Sequence, residues 1–206
     1  MDGGYDDAYR GSVCLWGYRP GSLLFHLESI APGFRPVNVL DAGCGEGKNA
    51  VFCARNGAVV WAVDISAVAL ERARRIHHGV TGIRWEEADI RRLELRHEYF
   101  DLVIAYGLLH CFDSREQIVQ CVRCFKAATR VGGFNLVCAL NDRYQELGAH
   151  PRLNPCLIEH RAYEHLYTDW QVLASSDSDL SEVHPHIDIR HTHSLTRLVA
   201  QKGSCR

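Results

Sequence analysis

Apolar residues along this chain fall into short runs, and between them lie stretches whose apolar positions recur at helical spacing. VNVLDA (37–42) reads as a strand, and GKNAVFCARNG as a helix stopped by Gly57. AVVWAVD (58–64) is a second strand. SAVALERARRIHH follows as a helix capped by Ser66, whose hydroxyl can accept from a free first-turn N–H. GIRWEEAD gives a third, weaker strand, and YFDLVIAYG (99–107) a fourth that looks buried. A helix from about Ser114 to Thr129 comes next, and the VGG turn (131–133) leads into the strand FNLVCAL.

Strands alternating with helices in this order predict an α/β domain with a doubly wound, mostly parallel sheet. Ligands of such sheets bind at the carboxyl ends of the strands, beside the first one. Residues 141–158 carry two prolines and no clear period, which predicts a loop or lid. A short helix at about 159–168 then precedes two more strands, WQVLAS and HSLTRLVAQK, with the polar stretch SSDSDLS after the first of them. That makes seven strands. No internal repeat, low-complexity tract or linker divides the 206 residues, a length suited to a single domain.

Composition narrows the function classes. With 47% hydrophobic and 23% charged residues the chain is an ordinary globular sequence, and its net charge of −2 gives no field to attract nucleic acid or an anionic membrane. No apolar run reaches the length of a membrane span, and MDGGYDDAYR lacks a signal-peptide pattern. The nine cysteines, an odd number in a chain of this size, read as reduced thiols and predict a cytoplasmic protein. Cys121 and Cys124 have CxxC spacing but sit within a helical pattern, REQIVQCVRCFKAA, which favours packing over redox or zinc chemistry.

The candidate chemistry starts at VLDAGCGEGKNA. A phosphate-binding loop needs four residues between its glycines and a hydroxyl after the lysine. Here three residues separate Gly43 from Gly47, and Lys48 is followed by Asn49. The dinucleotide spacing GxGxxG is also missed, because Gly43, Gly45 and Gly47 alternate. Asp64 ends the second strand beside this turn, where a carboxylate can accept from both hydroxyls of a ribose. Asp89, one strand further out, can accept from an adenine amine. Asp41, against the turn itself, is unfavourable beside pyrophosphate but tolerable beside a ligand that carries an ammonium and a sulfonium. The turn therefore suits S-adenosylmethionine.

VLDAGCGEG, AVDIS, EEADI, FDLVIAYGLLH and VGGFNLV, in this order and spacing, resemble the class I SAM-dependent methyltransferases over residues 37 to about 140. The resemblance implies a Rossmann-like fold whose last strand runs antiparallel. It implies that Asp41, Gly43, Cys44, Gly45 and Gly47 surround the methionine portion of the cofactor, Asp64 and Ile65 the ribose, and Asp89 and Ile90 the adenine. Residues 1–36 would then form an N-terminal cap, 37–140 the SAM-binding core, and 141–206 the substrate-side lid and final strands. VGGFNLVCALND, EHRAYEHLYTDWQVL, SEVHPH, HTH and LVAQK look similar to the tellurite-resistance methyltransferases. CLWGYRPGSLL departs from that family's bacterial members, so the fold of the tail transfers better than the substrate.

The sulfonium is a strong leaving group, so alignment and exclusion of water do most of the catalytic work. A soft anion needs no general base, whereas a hydroxyl or protonated amine does. His110, after the fourth strand, is a candidate base or a polar rim residue, and Tyr106 can shield the sulfonium or simply pack. In EVHPHIDIRHTH, histidines two apart share a face of a strand. By the family match, His184, His191 and His193 line the substrate pocket, with His186 beside them. A metal site and a solvent-facing hairpin are the other readings. Metal is disfavoured because Pro185 restrains the first pair and no acidic ligand lies at a supporting spacing. Arg143 and Arg190 can complement an anion or be solvated. Trp16, Tyr18 and Phe25 can cap the site, while Leu23, Leu24 and Leu27 read as packing.

These observations predict an enzyme that methylates a small molecule, a thiol, a selenite- or tellurite-like anion or a compact metabolite, acting as monomer or homodimer with no metal. An O- or N-methyltransferase using a histidine base, and a SAM-binding protein without methyl transfer, are the alternatives.

Overall fold

The computed structural model describes residues 5–11, 14–149, 153–184 and 187–203. Two short helices, α1 (Asp6–Gly11) and α2 (Ser22–Ile30), precede the alternating core. The core runs β1 (Asn38–Ala42), α3 (Lys48–Arg55), β2 (Val59–Asp64), α4 (Ala67–Ile76), β3 (Ile83–Glu87), β4 (Phe100–Tyr106), α5 (Arg115–Ala128) and β5 (Thr129–Gln145). The short helix α6 (His160–His165) then leads to β6 (Gln171–His184) and β7 (Ile187–Gln201). Single 3-10 turns at Ile90–Arg92 and Leu109–Cys111 follow β3 and β4.

The seven strands form one sheet in the order β3-β2-β1-β4-β5-β7-β6. β1 to β5 pair in parallel, and β7 runs antiparallel to both of its neighbours. Strand order reverses between β1 and β4, which opens a crevice at their carboxyl ends. β1 and β4 are buried almost throughout, as expected of parallel strands covered on both faces.

Helices cover both faces. On one, α5 and α6 bring Ile118, Phe125 and Tyr163 against Phe100 and Val103 of β4. On the other, Leu24 and Leu27 of α2 join Cys53 of α3 and Leu70 of α4 over Val60 and Ile104. Leu23, Leu24 and Leu27 are packing residues, 3–4% exposed. Cys121 is buried in the α5 face and Cys124 is exposed, and all eight described cysteines are free thiols.

Three boundaries differ from the sequence expectation. β5 continues through 141–145, residues expected in a loop, and the polar SSDSDLS stretch lies inside β6. β7 begins at Ile187, six residues before the expected start. β6 and β7 pair from Gln171↔Gln201 to His184↔Ile187 as a long antiparallel ribbon. Its polar side chains satisfy one another: Arg143 Nε and Nη2 donate to Asp177 and Asp179, Ser194 Oγ donates to Asp179 at 2.7 Å, and Arg197 donates to Ser178 at 2.6 Å. A ribbon with polar faces carries no hydrophobic alternation to announce it. Among the described residues no helix is long and apolar enough to cross a membrane.

Candidate active site

At the end of β1 the chain turns through Gly43, Gly45 and Gly47, all with positive φ. A Cβ at any of the three would crowd a neighbour, 2.9 Å from Leu108 in the case of Gly43. A Cβ on Gly45 would lie 2.8 Å from the Tyr9 hydroxyl, and one on Gly47 would lie 2.2 Å from the Trp85 ring. The turn is pinned to β2, where Gly43 N–H and Cys44 N–H donate to Val63 C=O at 2.8 and 3.0 Å. Asp64 secures it further: its Oδ2 accepts from Gly45 N–H at 2.7 Å and its Oδ1 from Ser66 N–H at 2.9 Å. Burial raises the Asp64 carboxyl above its ordinary range, and these backbone donors partly offset the effect. Ser66 also caps α4 by accepting from Ala69 N–H at 3.0 Å.

The motif residues after the glycines hold the N-terminal segment over the site. Glu46 accepts from Leu15 N–H at 2.6 Å and pairs with Arg72 Nε of α4 at 3.0 Å, and Arg72 also donates to Tyr9 C=O. Lys48 Nζ donates to Trp16 C=O at 3.2 Å, and Gly21 N–H donates to Asn49 Oδ1 at 2.8 Å. Tyr5, Tyr9 and Trp16 thereby roof a cavity of about 310 Å³, within the usual range for small-molecule sites. The cavity starts at the glycine turn and Asp64, passes Asp89 and Tyr106, and reaches His110, Glu182 and His193.

His110 sits in the turn after β4, 5% exposed, and its Nδ1 accepts from Leu140 N–H at 3.2 Å. A backbone N–H can only donate, so the ring's own proton lies on Nε2 in the neutral form. On β7, His191 and His193 are 2–3% exposed, with ring centroids 4.9 Å apart. Burial pushes the His193 imidazole down to about 4; a charged His191 adds to the shift and Glu146 opposes it. Burial also lifts the Cys138 and Cys111 thiols to about 11 and about 12, so neither of these two wall cysteines is a thiolate at neutral pH.

Residues 39–133 match the family model described as a methyltransferase domain. An uncharacterized methyltransferase of Mycobacterium tuberculosis is 37% identical over 95 residues, which cover 45% of this chain and 48% of that protein. The chain thus matches about half the length of its curated relatives. Among solved structures, one concerned with the conversion of a disulfide bond into a thioacetal group during echinomycin biosynthesis superposes with a TM-score of 0.74. It is 24% identical and covers 100% of this chain and 93% of its own. TehB from Haemophilus influenzae gives a TM-score of 0.70 at 19% identity, over 96% of this chain and 65% of that one.

Residues 39–133 are thus similar to a methyltransferase domain, and the chain around them has the class I methyltransferase fold. A methyltransferase domain implies S-adenosylmethionine as methyl donor.

Of the residues expected at the site, Gly43, Cys44, Gly45, Asp64, Ile65, Asp89, Ile90, Tyr106, His110, Trp16 and His193 all reach the cavity wall. Several expected residues stand elsewhere. Asp41 is 1% exposed and lies behind the turn, and Gly47 shapes the turn from outside the wall. Neither Asp41 oxygen has a hydrogen bond of ordinary geometry. Burial raises its carboxyl to about 7 and the Asp64 charge adds to this, with Ala50 N–H and Lys48 in partial opposition. Asp41 therefore makes no contact with the cavity. Asp89 is already engaged by Arg91, whose Nε and Nη2 donate to it at 2.9 and 2.8 Å and hold its carboxyl below the usual range.

On the substrate side, Tyr18 is 62% exposed and off the cavity. Phe25, also outside the wall, packs against Phe52. Arg143 is an exposed ribbon residue clamped by Asp177 and Asp179, and Arg190 is exposed and outside the wall. His191 backs onto His193 without lining the cavity itself. His184 ends β6, but its side chain, like the whole of His186, lies outside the described residues. Tyr5, Tyr9, Lys48, Arg91, Cys138 and Glu182 join the wall without having been singled out from sequence. Only Lys48 carried a signal, as the residue after the last glycine of the turn.

Proposed function

We propose that this protein transfers the methyl group of S-adenosylmethionine to a small-molecule nucleophile, with a soft sulfur- or selenium-type atom favoured over a hydroxyl or amine. One observation carries the reading: Asp64, held by two N–H groups of the glycine turn and of the start of α4, opens onto a roofed cavity that continues to His110. In that arrangement Gly43 to Gly45 accommodate the methionine portion, Asp64 and Ile65 the ribose, Asp89 and Ile90 the adenine, and Tyr106 flanks the sulfonium. Lys48, at the cavity's edge, faces the methionine carboxylate.

The methyl carbon is then presented toward His110, where the acceptor lies. His110 donates from Nε2 to the acceptor and orients it, since its Nδ1 lone pair is taken by Leu140 N–H. A donor at this point suits an acceptor that arrives already nucleophilic, which is the case for a soft anion. The sulfur chemistry of the echinomycin-pathway structure is consistent with including thiols among the first acceptors to try. The cap formed by residues 5–11 and 14–31 excludes water from the reacting atoms.

The test is calorimetry against S-adenosylmethionine and S-adenosylhomocysteine with wild type and Asp64→Ala, followed by a thiol, selenite and phenol screen for S-adenosylhomocysteine release. Micromolar binding that weakens at least about tenfold in the variant is expected. Folded wild type that binds neither compound would overturn the reading.

A further inference from the structure

We propose that Glu182, His191 and His193 form a binding site for one divalent transition-metal ion, of the zinc or iron(II) kind, at the acceptor end of the cavity. One ligand atom from each of the three lies within 4.8 Å of the others. The placement follows from strand pairing. Glu182 of β6 stands directly opposite His191 of β7, and His193 is two residues further along β7, so all three project from one face of the ribbon. The carboxylate that the sequence lacks at any local spacing is supplied across the ladder.

The surroundings prepare both imidazoles as ligands. His191 Nδ1 lies 2.8 Å from Ile189 C=O, which only accepts, so Nδ1 carries the proton and Nε2 the lone pair. His193 Nδ1 lies 2.8 Å from Gln145 Oε1. The Gln145 amide is oriented by its nitrogen, which donates to Asn141 C=O at 2.7 Å and Ser194 C=O at 2.8 Å, so its oxygen must face His193. His193 therefore also keeps its proton on Nδ1. A ring N–H fixed by a carbonyl is the usual support behind a metal-bound histidine. Donor atoms around one zinc lie about 3.5 Å apart, so the three ligand atoms, all within 4.8 Å of one another, have about 1.3 Å at most to close around an ion.

Two neutral imidazoles and one carboxylate leave a divalent ion with one net positive charge and at least one open position. Glu182 and His193 line the cavity, so that position faces the methyl acceptor. This deepens the proposed methyl transfer and rests on it for its use. An acceptor thiol that ligates the ion releases its proton to solvent. Its sulfur lone pair then forms the bond to the methyl carbon while the carbon–sulfonium bond breaks, and that electron pair returns to the cofactor sulfur.

The test uses the full chain after chelator treatment, without S-adenosylmethionine, so its outcome is independent of cofactor binding. Calorimetry with Zn²⁺ and visible absorption with Co²⁺ are followed for wild type, Glu182→Gln, His193→Ala and Gln145→Leu. Expected are one ion per chain and a low-coordinate Co²⁺ spectrum, with affinity reduced at least about tenfold in each variant. Gln145→Leu removes no ligand, so a loss there reports the oriented ring rather than a surface histidine. Glu182→Gln alters a half-exposed side chain, and its unfolding transition checks that the variant folds. No stoichiometric binding by folded wild type, or binding untouched by Glu182→Gln and His193→Ala, would overturn the proposal.

Discussion

Leu140 N–H donates to Nδ1 of His110 at 3.2 Å, tying the first turn after β4 to β5. The bond fixes the imidazole tautomer with its proton on Nε2, the donor that the proposed methyl transfer uses toward the acceptor. Replacing it with glutamine, which retains a side-chain N–H donor, is expected to keep turnover within about tenfold of wild type. Alanine is expected to cost about tenfold to a hundredfold in kcat. A general base would instead lose 10²- to 10⁴-fold, roughly, in both variants. Steady-state kinetics of the two separate the roles.

Asp41 carries a pH dependence of stability. Its folded-state value of about 7 exceeds the ordinary 3.8, so the folded protein binds this proton more tightly than the unfolded chain does. The contribution is fully present below about pH 4 and is lost as pH rises through 7. It amounts to about 4 kcal/mol in order of magnitude, at about 1.4 kcal/mol per unit. Asp41→Asn removes it. Urea unfolding is expected to show the variant near wild type at about pH 4 and more stable than wild type by a few kcal/mol at about pH 8.5. Equal pH dependence in the two proteins would show that Asp41 does not titrate in this window.

Arg143 and Arg190 provide a test in the opposite direction. Both have the charge expected of an anion-binding site, yet Arg143 is spent on Asp177 and Asp179 and Arg190 is outside the cavity wall. Exposed ion pairs contribute about 0–1 kcal/mol. Arg143→Ala and Arg190→Ala are expected to leave KM for the acceptor and kcat within about twofold of wild type, and a large rise in KM would return either residue to the site.

β1, β2 and β4 were legible because each is apolar along most of its length and ends at a punctuating acid or glycine, as Asp64 and Gly43 do. Asp64 itself was legible from its position alone. The ion pairs of Arg143 were not legible because its partners, Asp177 and Asp179, lie on a strand whose polar composition hides it. Glu182 was missed for the same reason: its neighbours in space are reached across a ladder whose register depends on the whole ribbon. Tyr5 and Tyr9 were missed because the roof is held by Glu46 and Arg72, a contact between segments 26 residues apart with no local signature.

Glu46 is the residue through which the cap and the core become one unit. Its carboxylate is 5% exposed and receives both Leu15 N–H and Arg72 Nε, while Arg72 reaches on to Tyr9 C=O. Removing one partner of a buried ion pair leaves the other charge uncompensated, at a cost of about 3–5 kcal/mol. Glu46→Ala is expected to lower stability by about that amount and to free residues 5–31 from the glycine turn. Limited proteolysis should then cut within the cap at least about tenfold faster than in wild type, because the local opening energy falls with the lost contacts. S-adenosylhomocysteine should protect wild type from the same cleavage, since Tyr9 and Trp16 close over the cavity it would occupy. Cleavage at an unchanged rate in a destabilised Glu46→Ala would show that Lys48 and Asn49, bonded to Trp16 C=O and Gly21 N–H, hold the cap by themselves.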